Sequence, residues 1–126
     1  NPQESLTAKW TSNAVTTGMY SYAMLDIYST VTNYQSRRAE WKDNANSEAM
    51  LISDRNTGAG SSDTTVQSLW TTQAGDWKGN LVWGDNHAQF STSHTGLKTR
   101  YLSSSNTNDS LFSNSESAGN AFVTSN

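Results

Sequence analysis

The stretch GNLVWGDNHAQF, residues 79–90, decides how this chain is read. With Asp85-Asn86 as a two-residue turn, Gly84 stands opposite His87, Trp83 opposite Ala88, Val82 opposite Gln89 and Leu81 opposite Phe90. Side chains alternate along a strand, so Leu81, Trp83, Ala88 and Phe90 then share one face, and Val82, Gly84, His87 and Gln89 share the other. Asn tolerates the positive φ that a tight hairpin turn demands, which makes Asp-Asn a workable relative of Asp-Gly. A turn chosen on its own chemistry thus sorts four apolar residues to one side. The stretch predicts an antiparallel hairpin with Leu81, Trp83, Ala88 and Phe90 on a core.

Outward from the hairpin, strand signals dominate. AMLIS (49–53) is apolar on both parities, which suits a strand covered on both faces. MYSYAMLDIYSTV (19–31) is rich in aromatic and β-branched residues, with Tyr20, Tyr22 and Met24 on one parity. LKTRYL (97–102) alternates, placing Leu97, Thr99 and Tyr101 together, and TVQSLW near 64–70 reads as a further short strand. Residues 33–48 hold a cluster of charge and read as a loop or one short helical turn around RRAEWK. DRNTGAGSSD (54–63) is a loop by its Gly, Ser, Asn and Asp content. No internal repeat and no sustained helical period are present. The expected class is α+β to mostly β, an antiparallel sheet in a single domain over 1–126.

Composition narrows the function. A chain of 126 residues encloses one core, and its 31 large apolar side chains make that core thin and dependent on aromatics. Ser, Thr and Asn number 49 against 19 charged residues, so the surface is built of hydroxyls and amides. Net charge is −3 and the eight basic residues are scattered, which argues against a nucleic-acid partner. No apolar run approaches the roughly 20 residues of a membrane helix, so no transmembrane segment is expected. Cysteine is absent, which excludes disulfides and thiol chemistry. The hydroxyl-rich, Lys- and Glu-poor composition points to an extracellular or cell-surface bacterial protein. NPQES at the start carries no basic-then-apolar leader, so any targeting segment is expected to have been removed or left out.

The hairpin stretch also resembles the closing hairpin of a family of bacterial pilin-like proteins, written G-x-N-V-L-F-x-D-G-H-V-x-F. That family places a His ten residues before the Asp of the turn. Here the position ten before Asp85 is Gly75, and the turn glycine is Asn86. SEAMLISDRNTG (47–58) is similar to the family's buried strand and following loop, and YSYAM (20–24) to its tyrosine-rich early strand, so the likeness spans about residues 19–91. The resemblance implies a β-rich head like those of type IV pilins and type II secretion pseudopilins, which carry it on an apolar N-terminal stem helix. No stem helix is legible in this sequence. The implied role is a self-assembling structural subunit of an extracellular filament or surface appendage. A minor pseudopilin of a secretion system is a further alternative.

The chemistry-bearing residues are few. His87 and His94 are the only histidines. Asp85 and His87 form a conceivable acid–base pair, but no second carboxylate or nucleophile is spaced to join them, and turn-shaping is the preferred reading. No G-x-S-x-G, P-loop or H-E-x-x-H pattern occurs, so no catalytic residues are expected. Asp54, Asn56 and Asp63 are weak calcium candidates. They lack the ligand spacing of an EF-hand, and Asx residues in Gly-rich loops are mostly turn formers, so no cofactor is expected. Trp70 and Trp77 flank the loop TTQAGD and are the candidates for stacking on sugar rings, the alternative being a secreted carbohydrate-binding module with a surface polysaccharide as partner. Packing or subunit contact is the preferred role for the tryptophans. Asn108-Asp109-Ser110 is a glycan acceptor pattern. The tail at 103–126 contains 15 Ser, Thr or Asn residues and two apolar islands, Leu111-Phe112 and Ala121-Phe122-Val123. It is expected to lie on a sheet edge of its own domain or of a neighbour, with Leu111, Phe112, Phe122 and Val123 as candidate subunit contacts.

Overall fold

The computed structural model describes residues 21–27, 34–42, 45–59 and 63–113, with the backbone of 123–124. The described residues are mostly β, in two antiparallel sheets with one short helix. Strands β1 (Tyr22–Leu25), β2 (Met50–Asp54), β3 (Gly79–Trp83), β4 (Ala88–Ser91) and β7 (Val123–Thr124) form a sheet of order β4-β3-β2-β1-β7. Strands β5 (Thr95–Tyr101) and β6 (Ser104–Ser110) form the second, and helix α1 covers Tyr34–Glu40.

The elements follow their sequence patterns to different degrees. In β2, the middle strand, Met50 and Ser53 are buried while Leu51 and Ile52 are half-covered. In β1, Ala23 and Leu25 point inward while Tyr22 and Met24 point outward. β5 alternates as its sequence predicts, with Thr99 and Tyr101 buried and Leu97 half-buried. TVQSLW, by contrast, forms turns and no strand. Its Ser68 hydroxyl accepts the amides of Trp70 and Lys78 at 3.1 and 3.2 Å, so local side-chain bonding replaces a ladder there.

Both sheets feed one core. Leu25, Met50, Leu81 and Trp83 from the first sheet meet Tyr101 from the second and Leu111 and Phe112 from the turn after β6, with Val66 and Trp77 supplied by the loop between β2 and β3. Trp77 packs edge-on against Phe112 at 5.5 Å, and its indole N–H donates to the Arg55 carbonyl at 3.2 Å. Within α1, Arg37 and Glu40 lie three apart and are both buried. Glu40 accepts the Leu102 amide at 2.8 Å, holding the β5–β6 turn where Leu102 takes a φ of 54°. A bulky residue in that left-handed region is uncommon and requires such an anchor.

Tyr101 joins the sheets, its hydroxyl donating to the Met50 carbonyl at 2.8 Å. Burial pushes this phenol well above the usual range, with the Asp109 carboxylate adding to the effect. A raised folded pKa gives stability that is complete below the unfolded value and lost as pH rises through the folded one. Denaturant midpoints are therefore expected to fall once pH passes about 10. Tyr101→Phe should flatten that fall and cost about 1–3 kcal/mol at neutral pH by leaving the Met50 carbonyl unsatisfied.

The hairpin forms, but one residue out of the expected register. Asn80 pairs with Phe90, Leu81 with Gln89 and Val82 with Ala88. The connection is the three-residue loop Gly84-Asp85-Asn86, not the pair Asp85-Asn86. The Asn86 amide donates to the Trp83 carbonyl at 2.9 Å, and the Trp83 amide to the His87 carbonyl at 3.0 Å. Asn86 takes the left-handed φ of 67°, so the turn is a type I turn closed by a left-handed residue. The Asp85 carboxylate accepts the His87 amide at 3.2 Å and stabilises the longer loop. A one-residue shift moves every side chain of the partner strand to the other face. Leu81 and Trp83 keep the core, whereas Ala88 and Phe90 turn outward with Asn80 and Val82.

The tail is also corrected in part. Ser104–Ser110 is β6, and Leu111 and Phe112 lie in this chain's own core, so neither is free to contact a neighbouring subunit. The backbone of Val123–Thr124 pairs with β1, Leu25 opposite Val123 and Met24 opposite Thr124. Tyr20, Phe122 and the side chain of Val123 lie outside the described residues.

Candidate functional site

The outward face of the five-stranded sheet gathers the largest exposed side chains. The register places Met24 beside Ile52, Ile52 beside Val82 and Val82 beside Ala88, giving an apolar row across four strands. A second row runs beside it, with Tyr22 opposite Asp54 and Asn80 opposite Phe90. Tyr22, Met24 and Phe90 are 57, 50 and 53% exposed. Between the rows lies a groove of about 340 Å³, lined by Met24, Ile52 and Val82 from the first row and Tyr22, Asp54 and Asn80 from the second.

Trp70 overhangs this face from the loop before β3. It is 62% exposed and meets the Phe90 ring edge-to-face at 5.9 Å. Its indole N–H donates to Asp54 Oδ2 at 3.3 Å. The same oxygen accepts the Asn80 backbone amide at 2.9 Å and the Asn80 side-chain amide at 3.0 Å. One carboxylate oxygen thus fixes the overhanging ring to the start of β3. Gly79 makes this approach possible, since a Cβ there would lie 2.6 Å from the Trp77 ring and 2.9 Å from the Asp54 Cβ. The supporting loop turns at Gly75, whose φ is 80° and whose amide donates to the Val66 carbonyl at 2.8 Å. Glycine is at home in that left-handed conformation, which a histidine adopts only at a cost. Asp54→Ala should release Trp70 and leave the Asn80 amide unpaired. The expected loss is about 1–3 kcal/mol in urea unfolding, with a shift in the tryptophan emission of the folded protein.

The remaining candidate residues are dispersed. Trp77 is a core residue, buried under Phe112, and its assignment to sugar stacking is corrected; its partner across the loop, Trp70, is on the surface. Asp54, Asn56 and Asp63 do not act together. Asn56 Oδ1 accepts the amides of Gly58 and Gln67 at 2.8 and 3.0 Å, closing the loop after β2. Asp63 Oδ1 accepts the Ser110 hydroxyl at 2.6 Å and lies 3.3 Å from His94 Nε2. Among the described residues no group of three His, Cys, Asp or Glu is placed to hold a metal ion. His87 Nδ1 lies 2.5 Å from Asp85 Oδ1, and its ring stacks on Trp83 at 5.7 Å and 9°, so this pair braces the turn and covers the edge of the core. Asn108 is exposed on β6. No described helix is long and apolar enough to cross a membrane.

Phe90, Met24 and Tyr22 are the site residues that sequence reasoning missed. The shared parity of Tyr22 and Met24 was a usable signal for one face, though not for which face is covered. No protein family matches the chain, and no curated protein or solved structure is significantly similar to it.

Proposed function

We propose that the chain is a pilin-like structural subunit, the β-rich head of an extracellular or cell-surface filament that assembles from copies of itself and performs no catalysis. The open apolar sheet face carries this reading. Contiguous exposed apolar surface rimmed by polar residues marks interaction sites more often than bare surface. The chemistry of the groove favours protein side chains as its occupant. A buried sugar needs partners for its hydroxyls, and here Asp54 Oδ2 and the Asn80 amide are engaged with each other. The likeness of the hairpin to pilin-like sequences agrees with the same role, whether as the bulk of a fibre or as a minor pseudopilin.

The exposed Trp70 favours one second reading, a carbohydrate-binding module in which that ring stacks on a sugar of a surface polysaccharide. Met24→Lys separates the two. Met24 is half exposed, so the change should leave the fold within about 0.5 kcal/mol of native and abolish concentration-dependent growth beyond a dimer in sedimentation velocity. Native-like association of Met24→Lys overturns the filament reading. Retention on a polysaccharide column that is lost in Trp70→Ala supports the second.

A further inference from the structure

We propose that β4 is the strand by which two copies of this chain join, edge to edge and antiparallel, in one continuous sheet. The inference rests on the self-assembly reading and names its mode of contact. Among the described strands, β4 is the outer one of the sheet on the side away from β7. The Trp83 amide bonds to the His87 carbonyl, so the pairs Trp83–His87, Leu81–Gln89 and Gly79–Ser91 are the hydrogen-bonded ones. Ala88 and Phe90 occupy the alternate positions, and their N–H and C=O groups point away from β3, along the free edge. The Asn80 amide, opposite Phe90, likewise turns from β4 toward β2 and reaches Asp54. No described residue hydrogen-bonds to the backbone of Ala88 or Phe90.

Exposed edges are ordinarily guarded by Lys, Pro or a bulge. The strand AQFS has none of these and no charge. It is also self-complementary. Two copies related by a two-fold axis at Gln89 set Ala88 of one strand opposite Phe90 of the other, small against large, with the outward amides and carbonyls facing each other. Such an isologous contact closes on itself and satisfies both edges at once, so it makes a dimer and leaves growth beyond it to the open sheet face. The side chains of Ala88 and Phe90 lie on the open face, so pairing extends the row Met24–Ile52–Val82–Ala88 into the second copy. The apolar face described above would double in length while its polar edge disappears.

The test uses proline at the edge. Ala88→Pro removes an amide that β3 does not use, so the hairpin should survive. Ala88→Lys, a second variant, places a charge on the edge without touching backbone geometry. Sedimentation equilibrium should show both variants weakened in self-association at least about tenfold, or about 1.4 kcal/mol. Amide exchange on the native chain should show Ala88 and Phe90 becoming protected as concentration rises. Association in Ala88→Lys equal to native, with Met24→Lys still defective, overturns edge pairing and leaves the open-face reading standing. A native chain that stays monomeric at every concentration overturns both, including the case in which the edge serves a strand of another protein.

Discussion

A chain ending at Ser105 is expected not to fold. Circular dichroism and urea titration of that truncation should show no cooperative transition. The truncation removes most of β6 and with it the partners of Thr95, Leu97 and Thr99 in β5. It also removes Leu111, which is fully buried, and Phe112, which packs on Trp77. Each such side chain contributes about 1.5–3 kcal/mol of burial, against a total of about 5–15 kcal/mol for a domain. The Leu111 amide bond to the His94 carbonyl and the Ser110 bond to Asp63 go as well. A soluble, cooperatively folding chain that ends at Ser105 would place Leu111 and Phe112 outside this core and return them to subunit contact. A chain ending at Ser113 keeps all of these groups, and loses from the described structure only the pairing of β7 with β1.

The second large effect separates two residues that the simplest hairpin treats alike. Leu81 has no exposed surface, so Leu81→Asp buries an unpaired charge and should unfold the domain. Phe90 is half exposed and lies on the opposite face, so Phe90→Asp should cost about 0.5–1.5 kcal/mol, the value of its ring contact with Trp70. Urea midpoints of the two variants decide the register. Equal collapse of both would restore the two-residue turn and put Phe90 back on the core.

This contrast shows where the sequence was legible. AMLIS reads as a strand from its apolar run, although it is covered on one face only and Ile52 lines the open groove. The hairpin and the inward parity of Thr99 and Tyr101 in β5 follow from local pattern. The register does not. Leu81, Trp83, Ala88 and Phe90 can be sorted to one side by assuming the shortest turn, yet the Asp85 carboxylate and the left-handed Asn86 stabilise a loop one residue longer. Apolarity misled at that point because Phe90 belongs to a face the core does not cover. β6 was hidden for the opposite reason, since SSNTNDS has no apolar residue to alternate. Its inward position is Asp109, buried and bonded by the Thr99 hydroxyl at 2.5 Å, a polar solution that periodicity does not reveal. Trp70 and Trp77 flank the same loop symmetrically, and only the path of that loop, fixed by Ser68, Gly75 and Gly79, sends one to the surface and one to the core.

Self-assembly through the open sheet face is best tested by hydroxyl-radical footprinting of the native chain, dilute and assembled, read residue by residue by mass spectrometry. Tyr22, Met24, Trp70 and Phe90 are all at least half exposed in the isolated domain, so they should be oxidised readily in dilute solution. On assembly their oxidation should fall together, while that of Leu102, exposed at the β5–β6 turn, stays unchanged. Undiminished oxidation of the four in assembled material would contradict the account.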